Sequence, residues 1–251
     1  MRPYHKSPIL QALWERKSTR AFLERPIEEK DRAVILEAAM QAPTAGCQQL
    51  YTILDIRDQA KKERLSVTCD NQPFIAKAPM LLIFLADCRR WLDSYIYAGA
   101  SSRDPSASDL ILACADAFCA AQNSVIAAQA LGIGSCYIGD IMEQAEIHKE
   151  LLSLDDFVFP AAMVVYGYPA AMQEDRRKPQ RFSREYIVFE DVYRRLSTEE
   201  HKAMFTDREA REGRAGADFS KDIKAFCERK YMSDFALEMA RSVQIYLTKF
   251  K

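Results

Sequence analysis

Two basic clusters stand out as residues whose types and spacing could do chemistry. The first, Arg16-Lys17-Ser18-Thr19-Arg20, puts three cations and two hydroxyls into five residues. The second, Arg176-Arg177-Lys178-Pro179-Gln180-Arg181, is extended by Arg184. An arginine guanidinium grips a phosphate through two parallel hydrogen bonds, and a serine hydroxyl adds a neutral donor. Taken singly, each cluster also reads as a solvated charged stretch. Two such clusters meeting on one dianion would make a phosphate site.

Other chemistries find no support in the motifs. Gly132-Ile133-Gly134-Ser135-Cys136-Tyr137 fails the dinucleotide fingerprint, because Tyr137 stands where the last glycine belongs and the run follows a helix pattern. The chain contains no phosphate-binding P-loop and no G-x-S-x-G elbow. Seven cysteines (47, 69, 88, 114, 119, 136 and 227) include no C-x-x-C pair, and His5, His148 and His201 are scattered, so no metal site is expected. The formal net charge of −1 and the lack of aromatics within the second cluster argue against nucleic acid. An odd cysteine count and a polar start from Met1 to Ser18, with no apolar leader core, lead us to expect reduced thiols in a cytoplasmic protein. The most apolar stretch, Leu110 to Ile138, is broken by Asp116, Gln122, Asn123 and Gln129, which would be costly in lipid. A buried helix, not a membrane span, is expected there.

The elements that must position these residues alternate between helix and strand. Ser7 as N-cap with Pro8 after it opens a helix carrying Ile9, Leu10, Leu13 and Trp14. A second helix is marked by Val34, Ile35, Ala38 and Ala39, and Thr44-Ala45-Gly46 reads as a loop. Residues 51–56 and 80–86 read as strands around a charged helix over 59–68. Residues 87–108 are expected to be irregular, either a lid or a surface excursion. A helix apolar on all sides is predicted over 108–131, stopped by Gly132 and Gly134 as a C-cap. A short extended piece at 136–139, a helix over 143–152 and a buried strand over 157–168 follow. This order predicts an α+β fold, with a central mixed, mainly antiparallel sheet flanked by helices. Composition shifts after Arg194, where an amphipathic tail is expected to lay helices on the core or on a partner chain.

Two further segments give the basic clusters a context: Ala42-Pro43-Thr44-Ala45-Gly46-Cys47-Gln48-Gln49-Leu50-Tyr51 and Leu131-Gly132-Ile133-Gly134-Ser135-Cys136-Tyr137-Ile138-Gly139. With the four segments in this order, residues 7 to 193 resemble the FMN-dependent nitroreductase family. The resemblance implies a homodimer with one FMN at each end of the subunit interface. It implies an FMN-binding domain over 1–193 and a helical extension over 194–251. By that match Arg16 and Ser18 would hold the phosphate and ribityl chain, with Lys17 contributing mainly through its backbone. Arg20 would sit near the N1 and O2 edge, where a cation stabilises reduced flavin. Pro43, Thr44, Ala45, Cys47 and Gln49 would come from the other subunit. The family usually has asparagine where Cys47 stands, and a small buried thiol is the competing reading there. Gln72 matches a glutamine on the pyrimidine side. Tyr137, Ile138 and Gly139 match backbone beside the ring, where glycine permits close approach. Lys178 and Arg181 match the late basic residues that close on the phosphate. Asp116, Gln122 and Asn123 are expected to make inter-subunit hydrogen bonds.

The activity implied is an oxidoreductase using NAD(P)H as co-substrate and reducing nitroaromatic, quinone or flavin-type acceptors by ping-pong hydride transfer. No protein acid or base is then required as a catalytic residue, beyond electrostatic support from Arg20. Two other classes stay open: a flavin-sequestering protein with little turnover, and an anion- or nucleic-acid-binding protein.

Overall fold

A computed structural model describes residues 7–214 and 216–251. His5, Ala215 and the first six residues of the polar start lie outside the described residues. The chain forms two compact units. One runs to Arg176 and regains the chain at Glu238–Lys251; the other is Arg177–Leu237. The division therefore falls at other positions than residue 193, and the last helix returns to the first unit.

In the first unit the elements run α1 (Pro8–Glu15), α2 (Glu29–Met40), β1 (Tyr51–Asp55), α3 (Gln59–Thr68), α4 (Pro73–Lys77) and β2 (Met80–Asp87). Then come α5 (Arg89–Tyr97), α6 (Ala107–Ala130), β3 (Gly134–Ile138), α7 (Ala145–Leu152), β4 (Val158–Gly167) and α8 (Ala171–Glu174). Ser7 caps α1 and accepts from Leu10 N, as the Ser-Pro start predicts. Residues 87–108 are not irregular throughout, because α5 occupies nine of the 22. Asp87, at the end of β2, starts that helix by accepting from Arg89 N and Arg90 N.

The strands form one sheet in the order β1-β2-β4-β3, and each ladder is antiparallel. The expected mixed character shrinks to one isolated parallel bridge, Ser18 to Ser135. β2 and β4 are buried along their whole length, which explains their unbroken apolar runs. Strand periodicity sorts their side chains into two cores. Met80, Leu82, Phe84 and Ala86 join Ala113, Ala117, Ala120 and Val125 of α6 on one face. Leu81, Ile83 and Leu85 join Leu65 of α3 and Ile75 of α4 on the other.

α6 is long and apolar enough by composition to cross a membrane, yet much of it is packed inside the first core. Its other side is a stripe at helical spacing, with Ile111 at 69% exposure, Leu112 at 49% and Phe118 at 45%. α11 (Asp234–Leu247) ends against the same core, where the Tyr246 ring meets Phe159 edge-on at 5.1 Å.

The second unit contains α9 (Thr198–Arg211) and α10 (Phe219–Lys230). Ser197 and Glu200 close a capping box on α9. Phe205 meets Phe219 edge-on at 5.8 Å. Buried Glu209 is matched by hydrogen bonds from Arg208 and Arg214.

Candidate functional site

The first basic cluster is not a frayed helix end. At Arg16 the backbone leaves α1 for an extended path (φ −51°, ψ 127°). Thr19 N donates to Ser135 O at 2.9 Å, laying the segment alongside β3. Further on, Leu23 N donates to Tyr168 O and Ala170 N to Ala21 O, so the same segment also follows the chain leaving β4. It behaves as a short extra strand wedged between two others. In an extended segment side chains alternate. Thr19 turns inward and is buried, which leaves Ser18 and Arg20 on the outer face.

Gly134 explains how Thr19 fits. A methyl at 134 would lie 2.7 Å from Thr19 Cβ. The expected C-cap role therefore belongs to Gly132 alone, which has φ +72° and precedes the closing bond from Ile133 N to Ala128 O at 2.8 Å. Gly134 is instead the strand position that admits Thr19.

Electrostatics place both arginines beside β3. Burial pushes the Cys136 thiol up, opposed by the charge of Arg20, a hydrogen bond with Ser18 and the charge of Arg16. Burial also pushes the Tyr137 phenol up to about 12, against the nearby Arg16 charge. Arg20 lies 6.0 Å from the ring centre of Phe74 on α4. Gln72, just before that helix, donates from Nε2 to Cys69 O at 2.9 Å and to Asp140 Oδ2 at 2.8 Å. Its two N–H bonds are thus used inside the chain, and Oε1 is the atom it can offer a ligand. Lys17 Nζ donates to Arg176 O at 2.7 Å.

Tyr137, Ile138 and Gly139 line a cavity of about 460 Å³ together with Phe118 and Gln122 of α6. A Cβ built on Gly139 meets no atom within 4 Å, so in-chain packing does not demand glycine there. Arg16 Nε is buried with no hydrogen-bond partner. A group with a phosphate and a planar ring fits both features. The phosphate would satisfy Arg16, and the open flank of Gly139 would admit the ring.

The Pro43–Gln49 loop is held elsewhere, by the middle of α6. Asp116 is 5% exposed and accepts from the Thr44 hydroxyl, from Ala45 N at 3.0 Å and from Leu50 N at 3.1 Å. Gln49 N donates to Thr44 Oγ1 at 2.7 Å. From α5, Trp91 Nε1 donates to Gln48 O at 2.8 Å and Arg90 Nη1 to Gln49 O at 3.2 Å. The loop needs this hold, because Gly46, Cys47 and Gln49 all have left-handed φ (56°, 57° and 50°). One expectation is corrected here. Cys47 is exposed, not a small buried thiol. Asp116, Asn123 and Gln122 bond within their own chain, Asn123 Nδ2 to Ala38 O and Gln122 Oε1 from the Tyr137 hydroxyl. A loop that twists left-handed must gather its stray N–H groups, and a central carboxylate does so.

Asp116 and Gln122 are six residues apart on α6, about 9 Å along the axis and about 240° around it. The Pro43 loop and the Tyr137–Gly139 wall therefore sit on different sides of the same helix. In the second unit, Arg181 Nη1 donates to Pro179 O, Arg181 O accepts from Arg211 Nη2 at 2.9 Å, and Gln180 N donates to Glu212. That loop, which also carries Lys178, is tied to α9. Sequence reasoning missed Gln173, counted Thr19 only as a hydroxyl of the basic cluster and gave Gly134 a cap role; the partners of all three are far away in the chain.

Comparison with known proteins identifies the family to which this fold is similar. The profile described as the nitroreductase family matches residues 13–168. An FMN reductase (NADPH) of Bacillus subtilis is 27% identical over 247 residues, covering 91% of this chain and 96% of that protein. An oxygen-insensitive NADPH nitroreductase of Salmonella typhimurium is 30% identical, covering 76% of each chain. A solved Bacillus subtilis nitroreductase superposes with a TM-score of 0.76 at 26% identity, covering 92% of this chain and 98% of its own.

Proposed function

This chain belongs to the nitroreductase family, and from that membership we propose that it is an FMN-dependent oxidoreductase driven by NADH or NADPH. The observation that carries the reading is the Arg16–Arg20 segment, wedged beside β3 with Arg16 Nε buried and unpartnered. The chemistry that a bound FMN supplies is a two-step relay of hydride from the nicotinamide to a nitroaromatic, quinone or flavin acceptor.

The chain's own residues bind and orient. Arg16 and Ser18 hold the phosphate and ribityl chain, and Lys17 contributes its backbone while its ammonium bonds Arg176 O. Arg20 lends positive charge to the N1 and O2 edge. Gln72 Oε1 accepts on the pyrimidine side, and Tyr137, Ile138 and Gly139 back the ring. Pro43, Thr44, Ala45, Cys47 and Gln49 cover it from a second copy of the chain. The separation of the two walls around α6 supports that division, since one ring touching both takes them from different copies. The exposed stripe of Ile111, Leu112 and Phe118 is an apolar face suited to such a homodimer. Lys178 and Arg181 are proposed as phosphate ligands on the resemblance alone. Seven free cysteines accord with a cytoplasmic setting.

Titrating flavin-free protein with FMN and with riboflavin tests this reading. FMN is expected to bind at least tenfold tighter, and Arg16→Ala to abolish most of that preference. Equal affinity for the two, or no binding of either, contradicts it.

A further inference from the structure

Where the backbone stops supporting the phosphate segment, a side chain takes over. Leaving β4, the chain pairs with 21–23: Leu23 N donates to Tyr168 O, Phe22 bridges to Pro169, and Ala170 N donates to Ala21 O. At Ala171 the main chain coils into α8 and can pair no further. Residues 18 and 20 alternate with 21 and 23, so Arg20 N and Ser18 O face the other edge and take none of these main-chain bonds. Gln173 meets both. Its Oε1 accepts from Arg20 N at 3.2 Å, and its Nε2 donates to Ser18 O at 3.2 Å.

The side chain is 4% exposed. A carboxamide presents the same donor and acceptor pair as a peptide group. At this site Gln173 acts as a rung on that other edge. Thr19 N, which alternates with Ser18 and Arg20, is tied to Ser135 O. With both edges fixed, the alternation of the segment is fixed too: Thr19 inward against Gly134, Ser18 and Arg20 outward.

We propose that Gln173 is a positioning residue for the cofactor. It sets the phosphate-holding segment in register, so that Ser18 reaches the ribityl–phosphate end and Arg20 the ring. The proposal rests on the FMN reading of this site. Gln173 touches no reacting atom. It acts through the backbone of Ser18 and Arg20, and its loss frees the segment to twist Arg20 away from the ring.

Gln173→Met keeps the reach of the side chain and removes both hydrogen bonds. In this variant FMN is expected to bind about tenfold more weakly. The midpoint potential of bound FMN is expected to fall, because a displaced Arg20 stabilises reduced flavin less. Hydrogen exchange at the Arg20 amide, measured without flavin, is expected to quicken at least tenfold while β2 and β4 amides keep wild-type protection. Gln173→Glu retains an acceptor for Arg20 N and is expected to keep that one amide protected, which decides the matter if the Met variant fails to fold. Wild-type FMN affinity, potential and Arg20 exchange in Gln173→Met overturn the proposal. So does a uniform rise in exchange across the sheet, which marks general destabilisation. If the wild-type protein binds no FMN, the functional reading fails on its own, and the Arg20 exchange still reports whether Gln173 holds the segment.

Discussion

Replacing Asp116 by alanine should cost the protein about 2–3 kcal/mol, and the reasoning is explicit enough to fail. The carboxylate accepts from Thr44, Ala45 N and Leu50 N. Leu50 is 7% exposed, so its N–H finds no water once the carboxylate is gone, at about 1–3 kcal/mol. Thr44 and Ala45 are half-buried and recover water, leaving about 0.5–1 kcal/mol each. Relief of the desolvation of a buried charge offsets part of the sum. Cys47 and Gln49 are non-glycine residues held left-handed, so the loop is expected to relax when its anchor goes. Urea unfolding at fixed protein concentration should show the midpoint falling by about 1–1.5 M at an unchanged slope near 2 kcal/mol per M. Asp116→Asn keeps one acceptor but turns an NH2 toward the donors, and should lose at least half as much. A midpoint shift below about 0.3 M for Asp116→Ala would refute the view that this carboxylate organises the loop.

Three other outcomes follow from the structure. Glu143 is 3% exposed, and burial together with the negative charge of Asp140 pushes its carboxyl up to about 8 from an ordinary 4.5. The unfolded chain thus gives up this proton at lower pH than the folded one, so stability should fall as pH rises from about 5 to 8, and Glu143→Gln should flatten that slope in chemical unfolding. Tyr246→Ala empties a buried ring site against Phe159 and should lower stability by about 3–4 kcal/mol, read as a drop in the thermal midpoint. Phe118→Asp puts a charge on the exposed α6 stripe and, for the proposed homodimer, should shift sedimentation from dimer to monomer, with loss of bound flavin; a dimer that survives it would place the interface elsewhere.

Much of the scaffold was legible because it rests on local signals. Ser7-Pro8 announces α1, and the apolar runs of β2 and β4 announce strands buried on both faces. α5 went unread because Trp91, Asp93, Ser94 and the tyrosines are poor helix formers, although Asp87 was in place to cap it. The phosphate segment was legible in its side chains and illegible in its supports. Gln173 bonds residues more than 150 positions away, and Gly134 is small for the sake of Thr19, so neither leaves a periodic trace. Asp116 drew attention as a charge in an apolar helix, but its partners follow from a left-handed loop that no pattern announced.

The most direct test of the account is an anaerobic titration of the purified, FMN-loaded protein with NADPH and with NADH, followed at the flavin absorption band. The account predicts stoichiometric bleaching by at least one of the two, and recovery of the band when a quinone or nitroaromatic is added. A flavin that stays oxidised under both nicotinamides would contradict it and leave a protein that holds flavin without turning it over.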